Sequence, residues 1–259
     1  MHHATSTQEL IPSQGLLRAH PVTLPNAAIR ALLAGGRSRI RVPVSPQPAP
    51  AMAPRGENQH SGRWNWRRHR FADSFTGSAS ELASHLVDAC PLGGVGDALW
   101  IREPYWQKRG GPSASSPLLY DANPEFGRSA SGKLGELNAA APAGIASPGL
   151  LTGAIQRAWL QTQSQWRRYP AMTMPRWASR AALLISHISA HQLHDLAAED
   201  IVGDCLYNAM AGLSPTQSYA VAWDQAYGAG AWSRNDWVYL IDGAVESRNI
   251  DEMLTLPKR

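Results

Sequence analysis

The feature that most constrains this chain is a long stretch, residues 107–150, composed mainly of Gly, Ala, Ser and Pro. Such a composition supplies few large apolar side chains, so it predicts a loop or an insertion rather than a packed unit. Compact domains seldom contain structureless loops of this length. We therefore expect one domain whose strands are distant in sequence and lie on both sides of this insertion.

Short periodic segments around the insertion predict the secondary structure. Pro25 is a favourable start and Gly35-Gly36 a favourable stop for a helix, and Ser80 and Asp195 are candidate N-caps of two others. Helices are predicted at residues 26–33, 80–89, 155–166, 195–206 and 215–227, and strands at 37–42, 62–71, 98–105, 118–121, 177–190 and 237–241. This order predicts an α+β fold built on a small β-barrel.

Charge is distributed unevenly along the chain. Residues 1–72 contain ten Arg and only two acidic residues, whereas residues 195–252 contain ten acidic residues and two Arg. Of the 24 basic residues, 21 are Arg, whose planar guanidinium group suits phosphate binding and base stacking. The basic half is therefore compatible with a nucleic-acid partner. The alternative interpretation is that the Arg excess reflects a GC-rich genome.

Several protein classes are disfavoured by the sequence. No stretch approaches the ~20 apolar residues that span a bilayer, and the N-terminus has neither the basic nor the apolar region of a secretory signal. The two cysteines, Cys90 and Cys205, do not form a disulfide framework. We expect a cytoplasmic protein without a membrane partner.

Four short segments carry a recognisable pattern. They are LLAGGRSRIRVPVSPQP at 32–48, CPLGGVGDALWIREPYW at 90–106, the stretch 174–206 that begins MPRWASR, and AWSRNDWVYLID at 231–242. Together, and in this order, they resemble the phage-type ASCH family, a branch of the PUA-like superfamily. The resemblance frames most of the chain and leaves the Gly/Ala/Ser/Pro-rich insertion unmatched.

The resemblance implies a PUA-like small β-barrel with inserted helices and long Gly/Ala/Ser/Pro-rich loops. It places the domain at residues 25–245, with a variable insertion at about 107–170, after a poorly ordered lead-in over 1–24 and before a C-terminal tail over 246–259. Members of the family bind RNA or act on modified nucleosides. The resemblance therefore implies a phage or prophage protein that binds nucleic acid or nucleotides in a basic and polar cleft.

The catalytic residues of a related amidohydrolase branch are only partly present. The resemblance places its Lys at Arg37, its Thr nucleophile at Ile40 and its Glu at Glu103. Arginine does not lose its proton in proteins, and Ile40 has no hydroxyl group. Ser38 lies two residues from Ile40, ~6–7 Å along a strand, which is beyond hydrogen-bond reach. We predict that amidohydrolase activity is lost, with an enzyme that uses Glu103 on a modified nucleoside as the alternative and a phage morphogenesis protein as the second alternative.

The remaining polar and aromatic residues suit binding. Alternation along the first strand puts Arg37, Arg39 and Arg41 on one face, and Glu103 could pair with Arg37 or accept a hydrogen bond from a base amino group. The predicted binding set for single-stranded nucleic acid or a nucleotide is Arg37, Ser38, Arg39, Arg41, Glu103, Trp106, Arg176, Trp177 and Arg180. Two alternatives stay open, since Glu103 could form a purely structural ion pair and the two Trp could belong to the core.

Three other patterns have a functional and a structural interpretation. His187, His191 and His194 would share one face of a helix and could hold Zn²⁺, but the LLIS run before them favours a strand. The segment Gly93–Asp97 lacks the Lys-Ser/Thr of a phosphate-binding loop and predicts a turn. Cys90 has no base nearby in sequence and is predicted to be a structural thiol. We predict neither a metal nor a cofactor.

Overall fold

The structure, a computed structural model, describes residues 18–35, 37–51, 62–67, 74–108, 118–122, 126–128, 134–136 and 166–255. Its strands are β1 (Ala19–Thr23), β2 (Arg39–Pro43), β3 (Ala49–Pro50), β4 (Arg63–Arg67), β5 (Ser74–Ser78), β6 (Ala98–Arg102), β7 (Tyr105–Lys108), β8 (Leu118–Tyr120), β9 (Phe126–Arg128), β10 (Leu134–Glu136), β11 (Trp166–Tyr169), β12 (Ala182–Gln192) and β13 (Trp237–Glu246). Its α-helices are α1 (Asn26–Leu33), α2 (Ala79–Asp88), α3 (Ala198–Val202), α4 (Pro215–Tyr227) and α5 (Ile250–Thr255).

A five-stranded sheet with the order β1-β6-β12-β13-β2 forms the centre of the fold. The β1–β6 pair is parallel and the other pairs are antiparallel. Two further sheets have the orders β10-β9-β8-β7-β11 and β3-β4-β5. The predicted α+β class is therefore confirmed, whereas the sheets formed by the described residues do not close into a barrel.

Helices α1, α2 and α4 pack against the central sheet and share one apolar core with it. Ile29 and Leu32 of α1, Leu82 of α2 and Trp223 of α4 belong to the same buried cluster as Ile40 of β2. Each is at most 2% exposed, and burying side chains of this size supplies most of the stabilisation of a domain. Packing of these three helices thereby fixes the position of the central sheet.

The bounds of two helices agree with the prediction. Helix α1 spans residues 26–33 and α4 spans 215–227, where the Ser214 hydroxyl and the Gln217 side chain form a capping box. The predicted N-cap of α2 is wrong, because Ser78 rather than Ser80 accepts from the backbone N–H of Glu81. The helix begins earlier because Glu81 completes the box by accepting from the Ser78 backbone.

Three other elements differ from their predicted bounds. The strand expected at 98–105 is divided at Glu103-Pro104, where proline supplies no N–H for pairing, so that β7 joins the second sheet. Residues 176–178 form a 3₁₀ turn, and β12 begins only at Ala182. The helix expected at 195–206 is the short α3; its N-cap is Ala197, and it ends at Gly203.

The folded domain extends beyond the predicted limits of 25–245. Residues of the predicted lead-in form β1, which lies along β6, and residues of the predicted tail form α5. The buried Asn249 amide nitrogen lies 2.9 Å from the carbonyl oxygens of Trp177 and Ser179 and 3.1 Å from that of Arg176. The helix predicted at 155–166 lies, except for Trp166, outside the described residues.

No helix in the described part of the chain is long and apolar enough to cross a membrane.

Replacing Asn249 by Ala should destabilise the protein by about 2–3 kcal/mol, because buried carbonyl groups would lose their amide donor. Equilibrium urea unfolding measures this change. The matched control is Asn65→Ala, which alters an exposed amide and should cost less than about 0.5 kcal/mol. Equal effects of the two substitutions would contradict the anchoring role of Asn249.

Candidate functional site

The arginines of β2 are held by carboxylates. Arg39 Nε donates to Asp242 at 2.7 Å and its Nη1 to Asp200 at 2.8 Å. Arg41 Nη1 donates to Asp204 at 2.7 Å, and both of these side chains are fully buried. The two guanidinium groups lie on one face, as alternation predicts, since both also reach the Asp200 carbonyl oxygen. Their charges are compensated within the protein.

Arg37 and Ser38 precede this strand. The Arg37 guanidinium group donates to the Tyr207 carbonyl oxygen and lies 5.2 Å from the centre of the Tyr207 ring. Ser38 is half-buried beside it. Of the three arginines predicted on one face of the strand, Arg39 and Arg41 therefore lie together. Arg37 contacts the segment that follows α3.

Glu103 pairs with Arg180 and not with Arg37. Arg180 Nε and Nη2 donate to the two Glu103 oxygens at 2.7 and 2.9 Å. The guanidinium group also lies 4.1 Å from the centre of the Tyr120 ring. Burial raises the pKa of the Glu103 carboxyl, and the Arg180 charge opposes this shift. With 1% of its surface exposed, Glu103 forms the structural ion pair left open by the sequence.

The aromatic members of the predicted set are not open stacking planes. Trp106 is 4% exposed, and its Nε1 donates to Asp121 at 2.9 Å. Trp177 packs half-buried against a cluster that contains Tyr105. Arg176 lies at the surface, paired with Asp251 at 2.6 Å.

The predicted binding residues do not converge on one hollow. Arg39 and Arg41 lie on the edge strand β2, whereas Glu103 follows β6, and β12 and β13 lie between these two strands. Three strand spacings correspond to roughly 14 Å. The expectation that the predicted binding set lines one basic cleft is therefore wrong for Glu103 and the arginines of β2.

A first cavity, of about 310 Å³, lies beside Arg39 on the face of β12 and β13. Its carboxylates, from Asp195, Asp200 and Asp242, outnumber its single guanidinium group, so it disfavours phosphate. His187 and His191 line it from a strand, four residues or ~13 Å apart, which is too far for one metal ion. No group of three metal-binding side chains occurs among the residues with described positions.

The remaining predicted patterns have structural roles. The Gly93–Asp97 segment is a turn, as predicted, in which the Asp97 carboxylate accepts from the Gly94 N–H at 3.1 Å. Burial raises the pKa of Cys205 to about 12, which keeps its thiol protonated and unreactive. Cys90 is half-buried.

A second cavity, of about 530 Å³, lies between α1, α4, the segment after α3 and the residues next to Glu103. We call it the α1 cleft. Its lining residues are Leu24, Pro25, Asn26, Ala27, Arg30, Pro104, Arg168, Leu206, Asn208, Met210, Ala222, Gln225 and Ala226. The set contains two guanidinium groups, three side-chain amides and an apolar wall, and none of these residues carries a carboxylate.

Asp121 holds one wall of the α1 cleft from beneath. Its Oδ2 accepts from Asn26 at 2.9 Å and from Arg168 at 3.0 Å, and its Oδ1 accepts from Trp106. Burial raises the pKa of Asp121, but the three hydrogen bonds outweigh burial and leave the pKa below its ordinary value. Arg30 Nη1 reaches the carbonyl oxygen of the next residue, Ala122, at 3.5 Å. Arg168 therefore contacts Asp121, and Arg30 contacts the next residue in the chain, Ala122.

Sequence reasoning missed Arg30, Arg168 and Asp121. Arg30 lies in a predicted helix, but nothing local marks it as facing a cavity. Arg168 and Asp121 fall within the unmatched insertion and meet only through the pairing of β7 with β8 and β11. One signal in the sequence could have identified Arg168. In the string WRRY, Arg167 and Arg168 must point to opposite faces of a strand.

No family model matches the chain, and no curated protein or solved structure is significantly similar to it. The resemblance to the phage-type ASCH family therefore remains a prediction. The functional argument rests on the geometry of the α1 cleft.

Replacing Asp121 by Ala should destabilise the protein by about 2–4 kcal/mol, because Trp106 and Arg168 would lose a charged acceptor. The lowered pKa of Asp121 means that its contribution is present above pH ~4 and is lost as pH falls through that pKa. The difference between the two proteins should therefore shrink in acid.

Chemical denaturation at several pH values measures this difference. Asp251→Ala is the control, since its carboxylate forms an exposed pair with Arg176 and should contribute less than about 1 kcal/mol. A loss that is the same size for both variants would contradict the role given to Asp121.

Proposed function

We propose that this protein binds a nucleotide or single-stranded nucleic acid in the α1 cleft. The observation that carries the proposal is the pair Arg30 and Arg168 in a cleft of about 530 Å³, whose described lining residues include no carboxylate. Ligand-binding clefts for small molecules have volumes of roughly 300–1,000 Å³. Guanidinium groups are the preferred partners of phosphate in proteins.

The start of α1 adds to the positive potential of the cleft. Its N-cap is Pro25, no side chain caps it, and its first turn contains no acidic residue. The first backbone N–H groups of a helix lack intrahelical partners and attract anions. Because Asn26 and Ala27 line the cleft, these donors support the phosphate site formed by the two arginines.

The opposite side of the α1 cleft suits a base. Asn208 and Gln225 supply side-chain amides, each with donors and an acceptor that match the edges of nucleobases. Leu206, Met210 and Ala226 supply an apolar surface against which a base can lie. A polar edge beside an apolar wall is the usual composition of a small-molecule site.

The position of the four ASCH-like segments supports a PUA-like origin of the fold. They contain β2, β6, β12 and β13 respectively, and these four strands are neighbours in the central sheet. Segments that lie far apart in sequence thus form one continuous surface. We accordingly propose an ASCH-like protein of phage or prophage origin.

The same positions argue for binding without amidohydrolase chemistry. Ile40, at the place of the Thr nucleophile, is 2% exposed in the core. Glu103 has both oxygens engaged by Arg180. A general base must reach the proton that it removes, and this carboxylate is buried.

The proposed function predicts salt-dependent binding that requires the two cleft arginines. Titration of a fluorescent single-stranded oligonucleotide should give an affinity that falls as salt rises, because phosphate binding releases counterions. Arg30→Ala and Arg168→Ala should each weaken binding roughly tenfold, the scale of one charged hydrogen bond.

Arg234→Ala is the control, because this exposed arginine pairs with Asp236 away from the cleft. It should leave affinity unchanged. Binding without a salt slope, or binding that survives loss of both cleft arginines, would overturn the proposal.

A further inference from the structure

We propose that the α1 cleft recognises a terminal phosphate monoester, so that its ligand is a mononucleotide or the phosphorylated end of a strand. This inference rests on the proposed function and specifies its ligand. It follows from the positions of the two guanidinium groups of the cleft. A continuous nucleic-acid strand would require positive groups spaced along a groove.

The two arginines of the cleft contact residues that are adjacent in sequence. Arg168 contacts Asp121 and Arg30 contacts Ala122, and consecutive Cα atoms are about 3.8 Å apart. Two long side chains anchored so closely can both reach one phosphate group. A row of phosphodiesters would instead be matched by guanidinium groups spaced along a groove.

A monoester matches this grouping better than a diester does. It carries a charge of about −1.5 to −2 at neutral pH and presents three acceptor oxygens. The cleft offers two guanidinium groups, one of which is partly compensated by Asp121, together with the first N–H groups of α1. Two arginines and one carboxylate leave a net charge of +1, and the start of α1 adds roughly half a positive charge, which together offset most of the charge of one monoester.

The arginines that would extend a track along the sheet are already engaged. Arg39 and Arg41 are paired with carboxylates, and Arg37 binds the Tyr207 carbonyl oxygen. The first cavity, beside Arg39, presents three carboxylates, from Asp195, Asp200 and Asp242, which repel a phosphate chain. A strand that left the cleft toward β2 would therefore meet a negative surface.

The inference also predicts how binding changes with pH. The second pKa of a phosphate monoester is ~6, so the ligand loses one negative charge between pH 7 and 5. No histidine lies among the described residues that line the cleft, whose charged groups are Arg30 and Arg168, with Asp121 behind them. The pKa of Asp121 lies below its ordinary value. Titration of the ligand alone should weaken binding in this range.

The test compares ligands that differ only in their terminal phosphate. Uridine and adenosine are measured against their 5′- and 3′-monophosphates, and a pentanucleotide with a 5′-hydroxyl against the same pentanucleotide with a 5′-phosphate. A phosphorylated form should bind at least tenfold tighter at pH 7, and this advantage should shrink at pH 5. Tight binding of the monophosphates identifies a mononucleotide ligand, whereas binding of the phosphorylated pentanucleotide alone identifies a strand end.

Variants assign the effect to the cleft. Arg30→Ala and Arg168→Ala should abolish the advantage of the phosphorylated ligands, with thermal unfolding used to verify that each variant is folded. Arg167→Ala is the matched control, since this neighbouring guanidinium group lies over the Tyr169 ring at 5.4 Å and does not line the cleft. It should retain the full advantage.

Two results would have different meanings. Salt-dependent binding with equal affinities for hydroxyl and phosphate ends would overturn this inference and leave the proposed function intact. Absence of binding to every one of these ligands, and also to the fluorescent single-stranded oligonucleotide, would overturn both this inference and the proposed function.

Discussion

The architecture depends on one buried ion pair, in which Arg41 of β2 donates to Asp204 at 2.7 Å. Burying two charges is costly unless both are well hydrogen-bonded. Here Asp204 also accepts from the Leu206 N–H at 2.7 Å, and the Tyr219 ring of α4 lies 5.7 Å from the Arg41 guanidinium group. The Tyr227 hydroxyl of the same helix donates to the Arg41 carbonyl oxygen. The pair thus fixes α4 and the segment after α3 against the sheet, and these two elements form the apolar wall of the α1 cleft.

The uneven charge of the sequence has a structural meaning that composition could not reveal. The basic N-terminal region and the acidic segment 195–252 predict an external polyanion, yet part of their charge is compensated internally: Arg39 binds Asp200 and Asp242, and Arg41 binds Asp204. These partners lie 161, 203 and 163 residues apart. Alternation of side chains along a strand is a local property, so the sequence predicts that Arg39 and Arg41 share one face. Their carboxylate partners depend on the order of strands in the sheet, which is not a local property.

Local signals also explain which elements were predicted accurately. Pro25 and the capping box at Ser214 define the starts of α1 and α4 within a few residues of sequence. The candidate site could be predicted less well, because the residues that line the cleft come from five separate segments, around Arg30, Pro104, Arg168, Leu206 and Ala226. Pairing of β7 with β8 and β11 brings Arg168 and the supporting Asp121 together. Glu103 was predicted as a binding or catalytic residue from the resemblance, whereas its burial and its partner could not be predicted from the sequence. Both of its oxygens accept from Arg180, which lies 77 residues away in the sequence.

The strand order has a consequence for the synthesis of this protein. Strand β13 lies between β12 and β2, so β2, although made early, has no neighbour in the sheet until residues 237–246 leave the ribosome. Until then Arg39 lacks Asp242, one of its two carboxylate partners, and Ile40 lacks its neighbour Ile241 on β13. Pairing between segments this distant is slow, and unpaired strands in unfinished chains associate readily with one another. Arg39 and Arg41, on both sides of Ile40, place positive charge on this unpaired strand, and like charges on a strand disfavour its pairing with another copy.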